Sequence, residues 1–334
     1  MSKLKYERKN IKKWAKEHYH GLENCLMPSF NKDFSDIDEK GIRLDVKQSV
    51  KHGFTKTIII GPECNLTVPE TKRMIEIVVD EAKDKILTSL WLTFDNFKTQ
   101  VEMLKFGEEV GVDTVLLHYP ESESFASEDD VFEYTKRLCD STNLAIDLYP
   151  SHKYNLERFH PSTFSAKLIA RMAEFENVAG MKEGVINFNH LAEVFELCGE
   201  NLLPMCPADF FFPIFVTKYK MQWAGGCPYE IYQDIENRQI VTYFELLQKG
   251  KWEEGMEIYW RLEPIRNFIA TAVLITVQLG TYNYNQWKYA QWLTGGSGGK
   301  VRLPSMKLYE HDKIGIKNMM RASGVKVRDD VYPW

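Results

Sequence analysis

Lys182 closes the apolar run Val178-Ala-Gly-Met-Lys-Glu-Gly184, and Tyr149 closes Leu144-Ala-Ile-Asp-Leu-Tyr-Pro150. A lysine ending an apolar strand, turned toward a mouth of low polarity, is desolvated. Its pKa falls from about 10.4 toward neutrality, and the free amine attacks a carbonyl carbon to give an imine. A phenol beside that amine shuttles protons during imine formation and carbon–carbon cleavage. Taken singly, each has a plainer reading: Lys182 as a surface lysine, Tyr149 as a buried tyrosine with its hydroxyl satisfied. Their neighbours widen the list. His118, in His118-Tyr119-Pro120, offers a base near neutral pH or a core or rim histidine. Glu63, in Gly61-Pro62-Glu63-Cys64-Asn65, offers an acid/base group, a contact to a hydroxyl or amine, or a solvated loop residue. His152 and Lys153 follow Tyr149. No His-Glu-x-x-His pattern or carboxylate cluster occurs, and His18 and His20 fall in a predicted N-terminal helix, so no metal site is expected.

The elements that must position these residues are legible as short apolar runs alternating with longer amphipathic ones. Strands are predicted at Leu22–Met27, Thr57–Ile60, Ile86–Leu92, Thr114–His118, Leu144–Leu148, Val178–Met181, Leu202–Met205 and Met221–Ala224. Helices are predicted at Pro69–Lys83, Asn96–Val110, Asp129–Cys139, Ser162–Phe175, Asn189–Cys198 and Gln233–Lys249. Ala166, Ile169, Ala170 and Ala173 share one face of the Ser162 helix. Eight strands separated by helices suit a parallel (β/α)8 TIM barrel, because parallel neighbours need crossover connections. The competing doubly wound sheet usually opens with Gly-x-Gly-x-x-Gly, which is absent. In the barrel, reactive groups sit where strands end, at the C-terminal mouth. The division expected is an N-terminal helix over 1–20, the barrel over 21–250 and a C-terminal helical extension over 251–334. Within the extension, Trp252–Phe268 and Ala270–Gly280 read as helices, Tyr282–Tyr289 as an aromatic stretch, and Gly295-Gly-Ser-Gly-Gly299 as a flexible loop. It is expected to pack on the barrel or on a neighbouring subunit.

At 334 residues, with 44% hydrophobic and 27% charged residues, the chain has an ordinary globular composition. A formal net charge of −5 and pI near 6.0 provide no basic field for nucleic acid or an anionic membrane. The partner expected is therefore a small molecule. A charged N-terminus without an apolar core argues against a secretory signal, and no apolar stretch is long enough to span a membrane. Six cysteines without a Cys-x-x-Cys pair suit reduced thiols in the cytoplasm. The basic cluster from Lys3 to Lys16 reads as a solvated helix face.

The run from Leu144 to Gly184 resembles the dihydrodipicolinate synthase and N-acetylneuraminate lyase family. There a strand ending Leu-Tyr-Asn-x-Pro is followed by a helix and then an Asn-Ile-x-Gly-Ile-Lys-Glu-like strand. Leu148-Tyr149-Pro150-Ser151 and Asn177-Val178-Ala179-Gly180-Met181-Lys182-Glu183 match that pattern at matching separation. Looser likenesses extend over roughly residues 20–265. Met27-Pro28-Ser29-Phe30 with Ile37-Asp38 looks like the family's first strand, and Leu66-Thr67-Val68-Pro69-Glu70 like its Leu-Thr-x-x-Glu. Gly225-Gly226 resembles its Gly-x-x-Ser strand, with Cys227 near the serine position and Asp209 at an acidic one. The longer ends are similar to those of the hydratase-aldolase branch.

The resemblance implies a homotetramer or homodimer. It makes Lys182 the imine-forming lysine, Tyr149 the proton relay and Tyr119 a supporting tyrosine. Ser29, Glu63, His118, Lys153, Gly225 and Cys227 become substrate contacts. No cofactor is implied beyond the covalent Schiff base on Lys182. Two departures stand out. Gly61-Pro62-Glu63 replaces a Gly-Thr-Thr-Gly-Glu segment that holds the carboxylate of a 2-oxo acid; proline removes a donor and glutamate adds negative charge. His118-Tyr119-Pro120 replaces Pro-Tyr-Tyr. The activity expected is a class I aldolase or lyase acting on a small carbonyl substrate such as a 2-oxo acid. A dehydratase or hydratase using the same imine, and a non-catalytic barrel kept for binding or regulation, are the competing readings.

Overall fold

Eight short buried segments carry the sheet: β1 (Gly21–Leu26), β2 (Lys56–Ile59), β3 (Leu87–Trp91), β4 (Thr114–Leu116), β5 (Ala145–Leu148), β6 (Val178–Lys182), β7 (Leu203–Met205) and β8 (Trp223–Gly225). The computed structural model describes residues 4–120, 122–226 and 228–334. The strand order is β7-β6-β5-β4-β3-β2-β1-β8, and every recorded pair is parallel. Sequential parallel strands, with the last beside the first and helices between, define a (β/α)8 barrel.

The helices are α1 (Ile11–His18), α2 (Glu39–Lys51), α3 (Val68–Ala82), α4 (Phe97–Val110), α5 (Glu128–Asp140), α6 (Ala166–Met172), α7 (Phe188–Cys198), α8 (Phe212–Thr217), α9 (Gln239–Gln248), α10 (Trp252–Arg261), α11 (Glu263–Phe268), α12 (Leu274–Gln278), α13 (Tyr284–Leu293) and α14 (Glu310–Ala322). The chain forms two compact units, Met1–His20 with Leu87–Gly225 and Gly21–Ile86 with Gly226–Trp334.

In the first unit, α4 starts at an Asn96 cap and α5 at a Ser127 cap followed by three acidic residues, which suits the positive end of a helix. Tyr6 ties the N-terminal segment to the strands: its hydroxyl donates to the Asp113 carbonyl at 2.5 Å and accepts from the Ala145 amide at 2.8 Å. In the second unit, α3 opens with a capping box. The Thr67 hydroxyl accepts from the Glu70 amide, and the Glu70 carboxylate accepts from the Thr67 amide. Arg302 of the C-terminal segment grips the same carboxylate at 2.6 and 2.8 Å and pulls its pKa down to about 2. Glu23 and Lys56 stand opposite in the β1–β2 register and form a buried ion pair at 3.4 Å.

Several predicted boundaries move for local reasons. The Thr114–His118 strand stops at Leu116. The Ser162 helix begins only at Ala166, because Thr163 takes φ 64° and Ser165 supplies the cap. The Gln233 helix begins at Gln239, after a turn in which Asp234 accepts from the Glu236 and Asn237 amides. His20 lies outside α1. The predicted Trp252–Phe268 helix is divided at Leu262, ahead of Pro264, and Ala270–Gly280 is a π-helical turn at Ile269–Val273 running into α12. The aromatic stretch is the start of α13, with Tyr284, Trp287, Tyr289 and Trp292 buried.

Gly295–Gly299 is a packed turn rather than a flexible loop. Gly296, Gly298 and Gly299 are buried, and the Ser297 amide and hydroxyl both donate to Asp45 at 2.6 Å. A Cβ on Gly298 would lie 2.8 Å from the Trp292 ring, so small residues are required for close approach.

Candidate functional site

Lys182 is the last residue of β6, and its side chain is 5% exposed. In the β5–β6 register, Leu148 stands opposite Met181; Tyr149 and Lys182 are each one residue further on. The Lys182 Nζ lies 5.1 Å from the Tyr149 ring centroid. The loops lock this pairing, since the Gly184 amide donates to the Pro150 carbonyl and the Glu183 amide to the Met205 carbonyl. Behind Lys182, the wholly buried Glu183 carboxylate holds His190 Nδ1 at 2.6 Å.

Around Tyr149 the first unit builds an aromatic layer. Trp91, the last residue of β3, meets Tyr149 edge-on with centroids 6.0 Å apart and His118 at 6.5 Å. Tyr154 meets His118 at 5.0 Å and Tyr149 at 6.2 Å. Ser151 caps the short 3₁₀ turn His152–Tyr154, which brings Lys153 Nζ to 5.6 Å from the Trp91 centroid. Gln100 of α4 braces the layer from below, donating to the Leu92 and His118 carbonyls at 3.1 and 2.9 Å.

His118 is buried, and its Nδ1 has no hydrogen-bond partner among the described residues. Burial, followed by the Lys153 charge, pushes its pKa down to about 3, so the imidazole is neutral at physiological pH. Tyr119 turns the other way: its hydroxyl pairs with the Thr135 hydroxyl of α5 at 2.7 Å, among Phe125, Tyr134 and Phe164. Burial raises its pKa well above the usual tyrosine range.

The strand ends of the second unit are met by the C-terminal segment. Ser29, just beyond β1, pairs its hydroxyl with Ser297 at 2.7 Å and with Lys288 Nζ at 3.3 Å. Asp45 lies 3.9 Å from Lys288. Desolvation outweighs the mutual attraction at both, raising the Asp45 pKa and lowering that of Lys288. Beyond β2, Glu63 accepts from the Tyr284 hydroxyl at 3.2 Å. One turn along α13 from Lys288, the Gln291 side-chain amide donates to the Cys25 carbonyl at 2.8 Å and to Glu230 at 3.0 Å.

Of the residues singled out from sequence, Lys182, Tyr149, His118 and Lys153 thus belong to one layer of the first unit. Tyr119 packs against that layer with its hydroxyl turned to α5. Ser29 and Glu63 are engaged by the C-terminal segment of the second unit. Gly225 ends β8 in the interior, and Cys227 lies outside the described residues. Sequence reasoning missed Trp91, which ends β3 one residue before the end of the predicted strand at Leu92. It also missed Tyr154, Tyr284 and Lys288, which no local pattern marks. Among the described residues there is no cluster of metal-ligating side chains and no helix long and apolar enough to cross a membrane.

A barrel with a buried lysine ending its sixth strand, beside a tyrosine that directly follows its fifth, has the layout of a lysine-dependent barrel lyase. The comparisons specify the kind. The model of the dihydrodipicolinate synthetase family matches residues 19–322, and the chain belongs to that family. It is similar to the 4-hydroxy-tetrahydrodipicolinate synthase of Geotalea uraniireducens, 24% identical over 86% of this chain and 94% of that protein. The corresponding enzyme of Methanococcus vannielii is 22% identical over 90% of this chain and 98% of its own. Among solved structures, dihydrodipicolinate synthase from Oceanobacillus iheyensis superposes with TM-score 0.78 at 16% identity, covering 94% of this chain and 99% of that one. N-acetylneuraminate lyase from Fusobacterium nucleatum does so with TM-score 0.75 at 20% identity, covering 91% and 98%. Members of the family are class I carbon–carbon lyases that carry their substrate on a lysine imine without an external cofactor. The chain is a lyase of this class, acting on a small molecule.

Proposed function

We propose that Lys182 is the imine-forming residue and Tyr149 its proton relay. The Lys182 amine adds to the carbonyl carbon of a small donor, water leaves, and loss of an α-proton from the resulting iminium gives an enamine. The enamine carbon attacks an acceptor carbonyl; a carbon–carbon bond forms, the acceptor oxygen takes up a proton, and hydrolysis frees the lysine. Tyr149 carries protons in these steps, with Lys153 and His118 contacting the substrate. The observation that carries this reading is the buried Lys182 Nζ 5.1 Å from the Tyr149 ring.

The donor class includes 2-oxo acids, as the family resemblance of the Leu144–Gly184 run implies. Gly61-Pro62-Glu63, with Glu63 bound to Tyr284, favours in addition donors that bring a hydroxyl or amine to the end of β2. Ser29, Gly225 and Cys227 are proposed as further substrate contacts, and Tyr119 as a support for Tyr154. Residues 21–250 would form the catalytic barrel, with 1–20 and 251–334 as its extensions. The enzyme is proposed to work in the cytoplasm as a homodimer or homotetramer.

Borohydride trapping with intact-mass spectrometry tests the reading. Offered pyruvate, other small 2-oxo acids and hydroxyacetone, the wild-type protein should gain the mass of one reduced adduct, and Lys182→Ala should gain none. A folded wild-type protein that traps nothing across that panel overturns it.

A further inference from the structure

Adjacent residues of an extended segment point to opposite sides, and beyond β4 this separates two aromatic side chains. Tyr119 faces α5, where Thr135 satisfies its hydroxyl. His118 faces the layer that holds Trp91, Tyr154 and Tyr149. Two rings pack on the imidazole and offer its Nδ1 no hydrogen-bonding group. A buried polar atom left unpaired costs about 1–3 kcal/mol, and such atoms are uncommon enough in folded proteins to need an explanation.

The position of His118 narrows the explanation. The Lys182 amine lies against Tyr149, and Trp91 and Tyr154 each pack on both Tyr149 and His118, so that His118 is joined to that phenol through two intervening rings. A group bound at His118, two ring contacts along the layer from the Lys182 amine, is assigned to the acceptor half of the substrate. The imidazole is neutral, so one ring nitrogen donates and the other accepts. A hydroxyl pairs with Nδ1 in either tautomer, whereas a carboxylate requires the N–H form and an alkyl group pairs with neither. Lys153, whose charge helps keep the ring neutral, adds a donor to the same side.

We propose that His118 is the specificity-determining residue for the acceptor: its Nδ1 hydrogen-bonds a hydroxyl beside the acceptor carbonyl, which makes α-hydroxy aldehydes the acceptor class. This rests on the imine reading of Lys182.

The test uses the donor that gives the largest trapped adduct, with glycolaldehyde and acetaldehyde as acceptors differing by one hydroxyl. Wild-type enzyme should favour glycolaldehyde by at least about tenfold in kcat/KM. A site built around a substrate hydroxyl rejects the analogue lacking it far more strongly than an apolar pocket does. His118→Phe should cut that preference to within about twofold while still trapping the donor, which shows an intact fold and lysine. His118→Asn, whose amide can stand where Nδ1 stood, should keep most of it. Trapping with the preference unchanged in His118→Phe, or with neither acceptor turned over, overturns the assignment and leaves Nδ1 to ordered water. Absence of trapping in the wild type removes this inference and the imine reading together.

Discussion

A Cβ on Gly184 would stand 2.5 Å from Cε2 of Tyr149 and 2.4 Å from the Pro150 carbonyl oxygen. Glycine is required here for close approach rather than for a left-handed backbone. It lets the turn after β6 lie directly on Tyr149, the residue following β5, and so fixes the phenol beside Lys182. Gly184→Ala should push the two turns apart. Displacements near 1 Å at a reacting centre cost up to about 100-fold in rate. The variant should still trap a donor with borohydride, while its kcat falls at least about tenfold in steady-state assays. Unchanged kcat would mean that the turn relaxes without moving Tyr149.

Tyr149→Phe separates packing from proton transfer. The ring contacts with Trp91 and Tyr154 survive the substitution, and only the hydroxyl is lost. The imine should still form slowly. Turnover should fall by about 100- to 10,000-fold, the usual range for a positioned acid–base group. Single-turnover kinetics of adduct formation and of carbon–carbon bond formation would distinguish the two steps.

The contrast between these residues and those of the C-terminal segment shows how far the sequence can be read. Strand ends were legible because buried parallel strands are short apolar runs and each stops where polarity returns. The same rule exposes Lys182, Tyr149 and His118, whereas Trp91 escaped because the apolar run continues through Leu92, one residue past the end of β3. Tyr154 escaped because a 3₁₀ turn, set by the Ser151 cap, carries it back onto Tyr149. Lys288 and Tyr284 escaped for a stronger reason. Their partners Ser29, Asp45 and Glu63 lie more than 200 positions away, and such pairing leaves no periodic trace. Gly295–Gly299 misled because glycine serves a tight packed turn as readily as a flexible one.

Lys288 and Asp45 give a stability prediction. Lys288→Met leaves the buried Asp45 facing Ser29 and Ser297 without its cation. Breaking a buried pair from one side typically costs about 3–5 kcal/mol. The double variant Lys288→Met with Asp45→Asn should cost clearly less than the sum of the singles, as coupled neighbours do. Urea unfolding of the four proteins measures the coupling; additive losses would show that the two groups are independent.

Glu230 sets the pH dependence of the same region. Its carboxylate is wholly buried, and one oxygen accepts from Asn24 at 2.8 Å and from Gln291 at 3.0 Å. The other oxygen and Asn24 Oδ1 are buried without partners among the described residues. Burial, with the nearby Asp45 charge adding to it, raises the pKa to about 7 against the ordinary 4.5. The folded state therefore binds this proton more tightly than the unfolded state, and stability falls as pH rises from about 4.5 to 7. His118 and His52 act in the opposite sense. Burial holds them down to about 3 and about 4, so stability is gained as pH rises toward 6.5. The wild-type protein should show rising stability up to about pH 4.5, a slower rise to about 6.5, where the two histidines together outweigh Glu230, and a decline from there to about 7. Glu230→Gln keeps an acceptor for Asn24 and Gln291, and its new amide can meet Asn24 Oδ1. It should match the wild type at about pH 4 and exceed it at about pH 8 by on the order of 3 kcal/mol, at 1.36 kcal/mol per pK unit. Melting curves of both proteins across pH 4 to 8 decide the matter. Parallel curves would mean that Glu230 carries its ordinary charge in the folded protein.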